Sequence, residues 1–562
     1  MPYDTVIQVI LPLRLEWEPC YLAPETVRSG DRVAVSFARR QYIAVVHRTG
    51  VETDLDPAKI LPVVSTDTGL PAITSRELEL WEFISSYYLC TIGEVYYAAY
   101  PNHKVRSEEV AARAALSSLR RTAGKIASLE GRLEKVKARI EAKSAALSAR
   151  ENSQRASAEV TGRIRAELEV LEERRAAIEK QIASIASRTE KRKPEKGPCK
   201  SARKAVKPEL IQSSSRLQTY REAIEEALSQ GRQALILTPD LLYCRSLSSA
   251  LSADFPQLRE FSSSQTAVSR RRTADSVREG DASIVVGTRS AVLLPFYDLG
   301  LIIVDEEQDN FYKQSEPAPR YQGRDCAVKL GSIHSARVIL GSSCPSLETV
   351  LNARCGRYRV LEGSGPAVRS AQVIDLAAER RKRGVTGAFS FKLIEAVRKT
   401  SRSVVLIRGW ERPEEVSAQI EELFPDRDIK VMRYLEAREA DLAQTELVAI
   451  LQADALVAEE DFRADEKAVQ MVCQLSSRCP LLIVQTNVPS RFDGSRSIEE
   501  LLDERRDFGF PPFTRLLEVR RRGSAEVIGR FFLKKDSSLA ERKAQIATGL
   551  APDTYPDVDP YF

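Results

Sequence analysis

The stretch LGLIIVDEEQDNFYKQ, Leu299 to Gln314, runs through six apolar or small residues and then meets Asp305, Glu306 and Glu307 without a break. A continuous apolar run of this length reads as a strand buried on both faces, as in a parallel sheet covered by helices. In such sheets ligands collect at the carboxyl ends of the strands. Asp305 and Glu306 therefore fall where a nucleotide's magnesium and attacking water would sit, the aspartate holding the metal and the glutamate orienting the water. Similar runs recur before and after it: QALILTPD, ASIVVGTRSA and ARVILGSS around the first, then RSVVLIRG, DIKVMRY, ELVAILQADA and CPLLIVQT. Their alternation with amphipathic segments predicts an α/β architecture with two such lobes, divided near GSGPAVRSAQ.

With 562 residues the chain is too long for one core. No apolar run approaches the roughly 20 residues of a membrane span, and the N-terminus lacks a basic region followed by a long apolar segment, so a cytoplasmic protein without membrane association is expected. Nine cysteines without a CxxC pair fit neither a disulfide framework nor a zinc ribbon, and three histidines far apart exclude a histidine-rich metal site as the organising chemistry. Residues 1–105 read as short strands followed by an aromatic helix. Residues 106–190 lose proline, and Ile126, Leu129, Leu133, Val136, Ile140 and Leu147 step by three and four, as do Leu168, Leu171, Ile178, Ile182 and Ile185. An antiparallel coiled-coil hairpin is the simplest packing, with an unidentified partner. Residues 191–207 form a basic linker that can solvate or meet a phosphate backbone.

The blocks VVGTRSAVLLPFYDLG, LIIVDEE, FYKQSEPAPRYQGRDCAV and LGSSCPSLET, in this order, resemble the family of bacterial primosomal protein N′, the superfamily 2 replication-restart helicases. VILPLRLEWEPCYLAPETVRSGDRVAVSFARR is similar to that family's domain for the 3′ end of a nascent strand, while ADALVAEEDFRADEKAVQ and ERRDFGFPPFTRL match its second lobe and the junction beyond. The resemblance implies two RecA-like helicase lobes, 208–362 and 363–498, a small mixed α/β DNA-binding domain at 1–105, and a shortened C-terminal domain at 499–562. It also implies ATP and Mg²⁺ as cofactors, with Asp305 on the metal, and DNA forks, 3′ strand ends and primosome proteins as partners.

Several family motifs are altered. The phosphate loop, counted back from Tyr220–Ile224, falls on LIQSSSRLQTY: Ser213, Ser214, Ser215, Arg216 and Leu217 occupy it, with Leu210 and Ser215 at its glycines, Arg216 at its lysine and Leu217 at its hydroxyl. Glycines let backbone amides wrap phosphates and the hydroxyl ligates Mg²⁺, so this is a poor cradle. Gln308 replaces the histidine of the DEEH motif, and Cys344 a threonine. Trp410 alone stands between Gly409 and Glu411 where the family carries a module binding two zinc ions, so zinc is not expected. Of the arginine-finger motif, Gln474 and Arg478 survive. With Asp305, Glu306, Gln308 and Arg478 as the remnants of catalysis, the chain is read as a DNA-binding relative that has lost ATP hydrolysis and unwinding. The alternatives are an active ATP-dependent 3′→5′ helicase with an atypical phosphate loop, and a scaffold acting through the coiled coil. The DNA contacts implied are Arg28, Arg32, Arg39, Arg40 and Tyr42 in the first domain, Arg289 and Ser290 in the GTRSA motif, and Phe311, Tyr312, Arg320 and Tyr321 in the aromatic-rich loop.

Overall fold

The computed structural model describes residues 5–101 except 55, 57 and 58, residues 130–148 except 132, residues 164–172, 175, 176 and 179, and residues 206–561 except 214, 362–370, 383, 439, 441, 443, 458–460 and 525. The chain forms two compact units, one of residues 1–103 and 203–562 and one of residues 104–202.

In the larger unit the expected parallel sheets are present. Seven parallel strands lie in the order Arg359–Val360, Glu209–Gln212, Arg337–Ser342, Leu299–Asp305, Gln233–Leu237, Ile284–Gly287, Arg259–Phe261. Every residue of Leu299–Asp305 is buried, as the unbroken apolar run requires. At about 1.5–3 kcal/mol per fully buried aliphatic side chain, Leu301, Ile302, Ile303 and Val304 anchor the middle of the first lobe. A second sheet, also parallel, runs Gln372–Asp375, Leu481–Thr486, Thr445–Ile450, Ser403–Arg408, Ile429–Arg433. These two parallel sheets, each with helices against it, give an α/β architecture of two lobes.

An antiparallel four-stranded sheet, in the order Cys20–Ala23, Thr5–Ile10, Arg40–Thr49, Arg32–Phe37, precedes the lobes. Two helices follow, Ser75–Tyr88 and Ile92–Ala99, each opened by a capping box, Thr74 with Glu77 and Thr91 with Glu94. Trp81 and Tyr96 stack at 5.5 Å between them. The first helix fastens this part to lobe one: Arg76 donates to the Tyr297 carbonyl at 2.8 Å and Lys329 pairs with Glu79 at 2.7 Å. A three-stranded antiparallel sheet, Val527–Lys534, Thr514–Arg521 and Thr554–Val558, closes the unit.

In the smaller unit the described residues of 130–148 and 164–179 are helical, Val136 and Ile164 are buried, and Lys143 pairs with Glu167. The heptad positions Ile126, Leu129, Ile178, Ile182 and Ile185, and the basic linker up to residue 205, lie outside the described residues. Among the described residues no helix is long and apolar enough to cross a membrane.

Candidate functional site

The buried strand delivers its acids to the lobe surface through a backbone reversal. Glu306 takes φ +49, a left-handed conformation that non-glycine residues adopt at a cost of about 1–3 kcal/mol. The Asp309 amide then donates to the Glu306 carbonyl at 2.9 Å, closing the turn. Asp305 and Glu306 are buried, at 6% and 5% exposure, and would be costly there without partners.

Arg216 supplies them. Its guanidinium enters from the start of the helix Leu217–Ser229, with Nη2 2.8 Å and Nε 3.0 Å from Asp305 Oδ1. Nη2 also donates to Glu306 Oε1, and Nη1 to the Ser213 carbonyl. Tyr220, one helical turn on, donates its hydroxyl to Asp305 Oδ1 at 2.8 Å and accepts from Arg216 Nε at 3.2 Å. Gly341 makes the room, since a Cβ there would lie 1.8 Å from the Tyr220 hydroxyl and 3.0 Å from Arg216 Cδ.

The second Glu306 oxygen is bridged by two amides. Gln308 Nε2 and Gln474 Nε2 each donate to Oε2 at 2.7 Å, the first from the same turn and the second from lobe two. Ser342 Oγ donates to Gln308 Oε1 at 2.6 Å, and Tyr434 fixes Gln474 by donating to its Oε1 at 2.8 Å. Burial alone would push the Glu306 carboxyl up; the Arg216 charge and the two amides outweigh it and hold the group below the ordinary range. For Asp305 burial prevails over the Arg216 charge, and its carboxyl sits above the ordinary range. Burial disfavours the Arg216 cation, but Asp305 and Glu306 more than offset this and raise its pKa further.

This arrangement does not fit a magnesium nucleotide. The acid that would hold the metal already accepts from Arg216 and Tyr220. Leu217 offers no hydroxyl, and the Arg216 side chain lies against the acids where a phosphate and its metal would come. The Ser213 amide donates to the Ser342 carbonyl at 3.0 Å and the Ser215 amide to Ser213 Oγ at 3.1 Å, so neither points free into a cradle. Ser214 lies outside the described residues. Arg478, expected as the surviving finger, turns away: its guanidinium donates to the carbonyls of Ala437, Arg438 and Ala440 within its own lobe. Among the described residues no group of three or more His, Cys, Asp or Glu is placed to hold a metal ion.

The residues proposed from sequence for DNA contact divide sharply. Arg28, Arg39 and Arg40 are exposed, and Tyr42 is half-buried. Arg39 sits with Ala38 at a two-residue hairpin tip where both take positive φ, +62 and +48, the conformation such a turn demands. Arg32 is different: it is 5% exposed and its guanidinium lies 4.2 Å over the Tyr100 ring, so it packs the helix end onto the sheet instead of facing solvent. In the aromatic-rich loop Tyr312 and Tyr321 are buried, at 0% and 1% exposure; Tyr312 donates to the Leu237 carbonyl at 2.9 Å. Arg320 lies 3.7 Å over the Tyr555 ring of the C-terminal sheet. Only Phe311 of that set is exposed. Arg289 donates to the Phe311 carbonyl at 2.8 Å, and the Ser290 hydroxyl is buried without a partner.

Sequence reasoning did not single out Tyr220 or Gly341 as site residues, nor Gln474 as a ligand of Glu306. Tyr220 was legible in principle, because residues four apart share a helix face and Arg216 precedes it by four.

Residues 8–101 match the family model described as the PriA 3′DNA-binding domain. The replication restart protein PriA of Chlamydia pneumoniae is 35% identical over 192 residues, covering 33% of this chain and 26% of the relative. That of Bacillus subtilis is 30% identical over 195 residues, covering 34% and 24%, and that of Haemophilus influenzae 32% over 189 residues, covering 34% and 26%. The matched part thus spans about a quarter of these curated relatives. A structure of RecG bound to a three-way DNA junction aligns over 54% of this chain and 41% of that one, with TM-score 0.33 and 13% identity. In its matched segments the chain resembles the replication restart proteins.

Proposed function

We propose that this protein binds DNA at stalled or collapsed replication forks, in the manner of a replication-restart factor, without hydrolysing ATP or unwinding. The observation that carries the second half is Arg216, whose guanidinium neutralises the acids that a Mg·ATP site would need. The first half is supported by the match of residues 8–101 to a 3′DNA-binding domain and by the exposed Arg28, Arg39 and Arg40 in that segment. Arg39 and Arg40 at an exposed hairpin tip suit phosphate contact at a strand end, and Tyr42 two residues on offers a ring face for a terminal base.

ATP and Mg²⁺ are then inherited cofactors without a fitting cradle, and primosome proteins are candidate partners. The helical unit, read as a coiled-coil hairpin, is a candidate arm for one of them. A fluorescence-anisotropy titration tests the DNA reading. The account expects tighter binding to a fork with a recessed 3′ end at the junction than to a blunt duplex. Arg39→Ala with Arg40→Ala should weaken fork binding and lower the salt slope by about two, one per lost phosphate contact. Equal, weak binding to both DNAs would defeat it.

A further inference from the structure

Two guanidiniums from distant parts of the chain share one aromatic ring. Arg320, in the aromatic-rich loop, holds its guanidinium carbon 3.7 Å from the centre of the Tyr555 ring, and Arg522, just after the strand Thr514–Arg521, holds its own 5.7 Å from the same centre. Tyr555 is buried on the last strand, Thr554–Val558. Both arginines are braced through their backbones. The Arg522 amide donates to the Asp553 carbonyl at 2.7 Å. The Arg320 carbonyl accepts from Lys313 Nζ at 2.5 Å, and Lys313 pairs with Asp557 of the last strand at 2.8 Å.

What the pair lacks is counter-charge. Nε of each arginine is buried without a hydrogen-bond partner, and among the described residues the Arg522 guanidinium meets neither an acid nor a hydrogen-bond acceptor. Acids close in sequence or space are engaged elsewhere: Arg521 takes Asp553 at 2.7 Å and Glu526 at 2.8 Å, and Glu94 closes its own capping box with Thr91. Arg320 pairs with Glu316 at 2.6 Å, but that carboxylate is 62% exposed and adds little. Burial, then the charges of Arg14 and Arg320, hold the Arg522 pKa below the ordinary guanidinium value, and Glu94 and Glu316 only partly offset them. A half-buried cation crowded by like charge is completed by an anion from outside.

We propose that Arg320, Arg522 and Tyr555 form a phosphate-binding site, which takes a phosphodiester of a nucleic-acid strand or the phosphate of a free phosphorylated molecule. A planar carboxylate fits one guanidinium fork, whereas the tetrahedral oxygens of a phosphate can face forks arriving from two elements at once. The Tyr555 ring holds both side chains in place beforehand, which lowers the entropy lost when the anion arrives. The inference does not rest on the fork reading, because it needs only a phosphate and Arg39 and Arg40 have no part in it.

The test uses the purified full chain, melted in sodium pyrophosphate and in sodium chloride of equal ionic strength. The wild type should melt higher in pyrophosphate, and both Arg522→Gln and Arg320→Gln should lose that shift. In chloride Arg522→Gln should melt no lower than the wild type, since it removes a crowded charge; a clear drop would mark Arg522 as a packing residue and overturn the proposal. A fluorescence-anisotropy titration with a labelled oligothymidine identifies the source of the phosphate. If it is a nucleic-acid strand, Arg522→Gln lowers the salt slope by about 0.7. A pyrophosphate shift with an unchanged salt slope assigns the site to a free phosphorylated molecule. No pyrophosphate shift in the wild type, together with no effect of Arg522→Gln on oligothymidine binding, would overturn the proposal.

Discussion

Arg216 carries the account at the scale of single residues. A guanidinium can address two carboxylates at once because its donors are fixed in a planar fork, and Asp305 with Glu306 uses that geometry. Removing it strands two buried acids, so Arg216→Ala should destabilise the protein by about 3–5 kcal/mol, read from denaturant unfolding. A loss below about 1 kcal/mol would mean that the pair is solvated and the site open. Gly341→Ala is expected to disturb the same cluster through the Tyr220 hydroxyl without touching a charge. The sequence already placed Arg216 where a phosphate-loop lysine would stand, and that substitution was legible. Its ion pairs were not, because spacing along the chain says nothing about where a long side chain folds back. Gln474 shows the same limit: it was read as a remnant of a finger motif, yet its partner is Glu306, 168 residues away.

Between elements, the contacts that matter are those crossing the lobes and those holding the first domain together. Arg438 pairs with Asp309 and reaches Asp240 at 3.3 Å, all three from different segments. Replacing it with Met leaves Asp309 buried and unpaired at the seam. Calorimetry of Arg438→Met should resolve two unfolding transitions where the wild type shows one; an unchanged single transition would show that the seam does not depend on this pair. In the first domain His47 ties the strand Arg40–Thr49 to the helix Ser75–Tyr88, with Nδ1 2.7 Å from Glu18 and Nε2 2.9 Å from Glu82. The Glu18 hydrogen bond raises its pKa, burial lowers it, and Glu82 adds to the rise, for a net upward shift. A folded pKa above the unfolded one means that the stabilisation is complete below the unfolded value, about 6.5, and fades as pH climbs through the folded value. The wild type should therefore lose melting temperature relative to His47→Gln as pH rises from about 6.5 upward. Parallel profiles would refute the bridge. At this scale the sequence misled in one loop: Phe311, Tyr312, Arg320 and Tyr321 look alike as an aromatic and basic set, but Tyr312 and Tyr321 are buried and Arg320 stacks on Tyr555. Composition cannot tell a ring that packs a loop down from one that waits for a base.

For the whole molecule, the two parallel sheets follow from runs such as LGLIIV and SVVLI, whose unbroken apolar character admits no half-exposed strand. The antiparallel C-terminal sheet was not legible, since its edge strand Val527–Lys534 exposes Ile528, Phe531 and Phe532 and so lacks a clean alternation. Across the two lobes Arg216, Gln308 and Gln474 all reach the acids at the end of the buried strand, Asp305 and Glu306. The direct test is phosphate release by the purified wild-type protein with ATP and Mg²⁺, with and without forked DNA. The account predicts release at the level of the buffer in both cases, unchanged by Glu306→Gln. Fork-stimulated turnover that Glu306→Gln abolishes would contradict it.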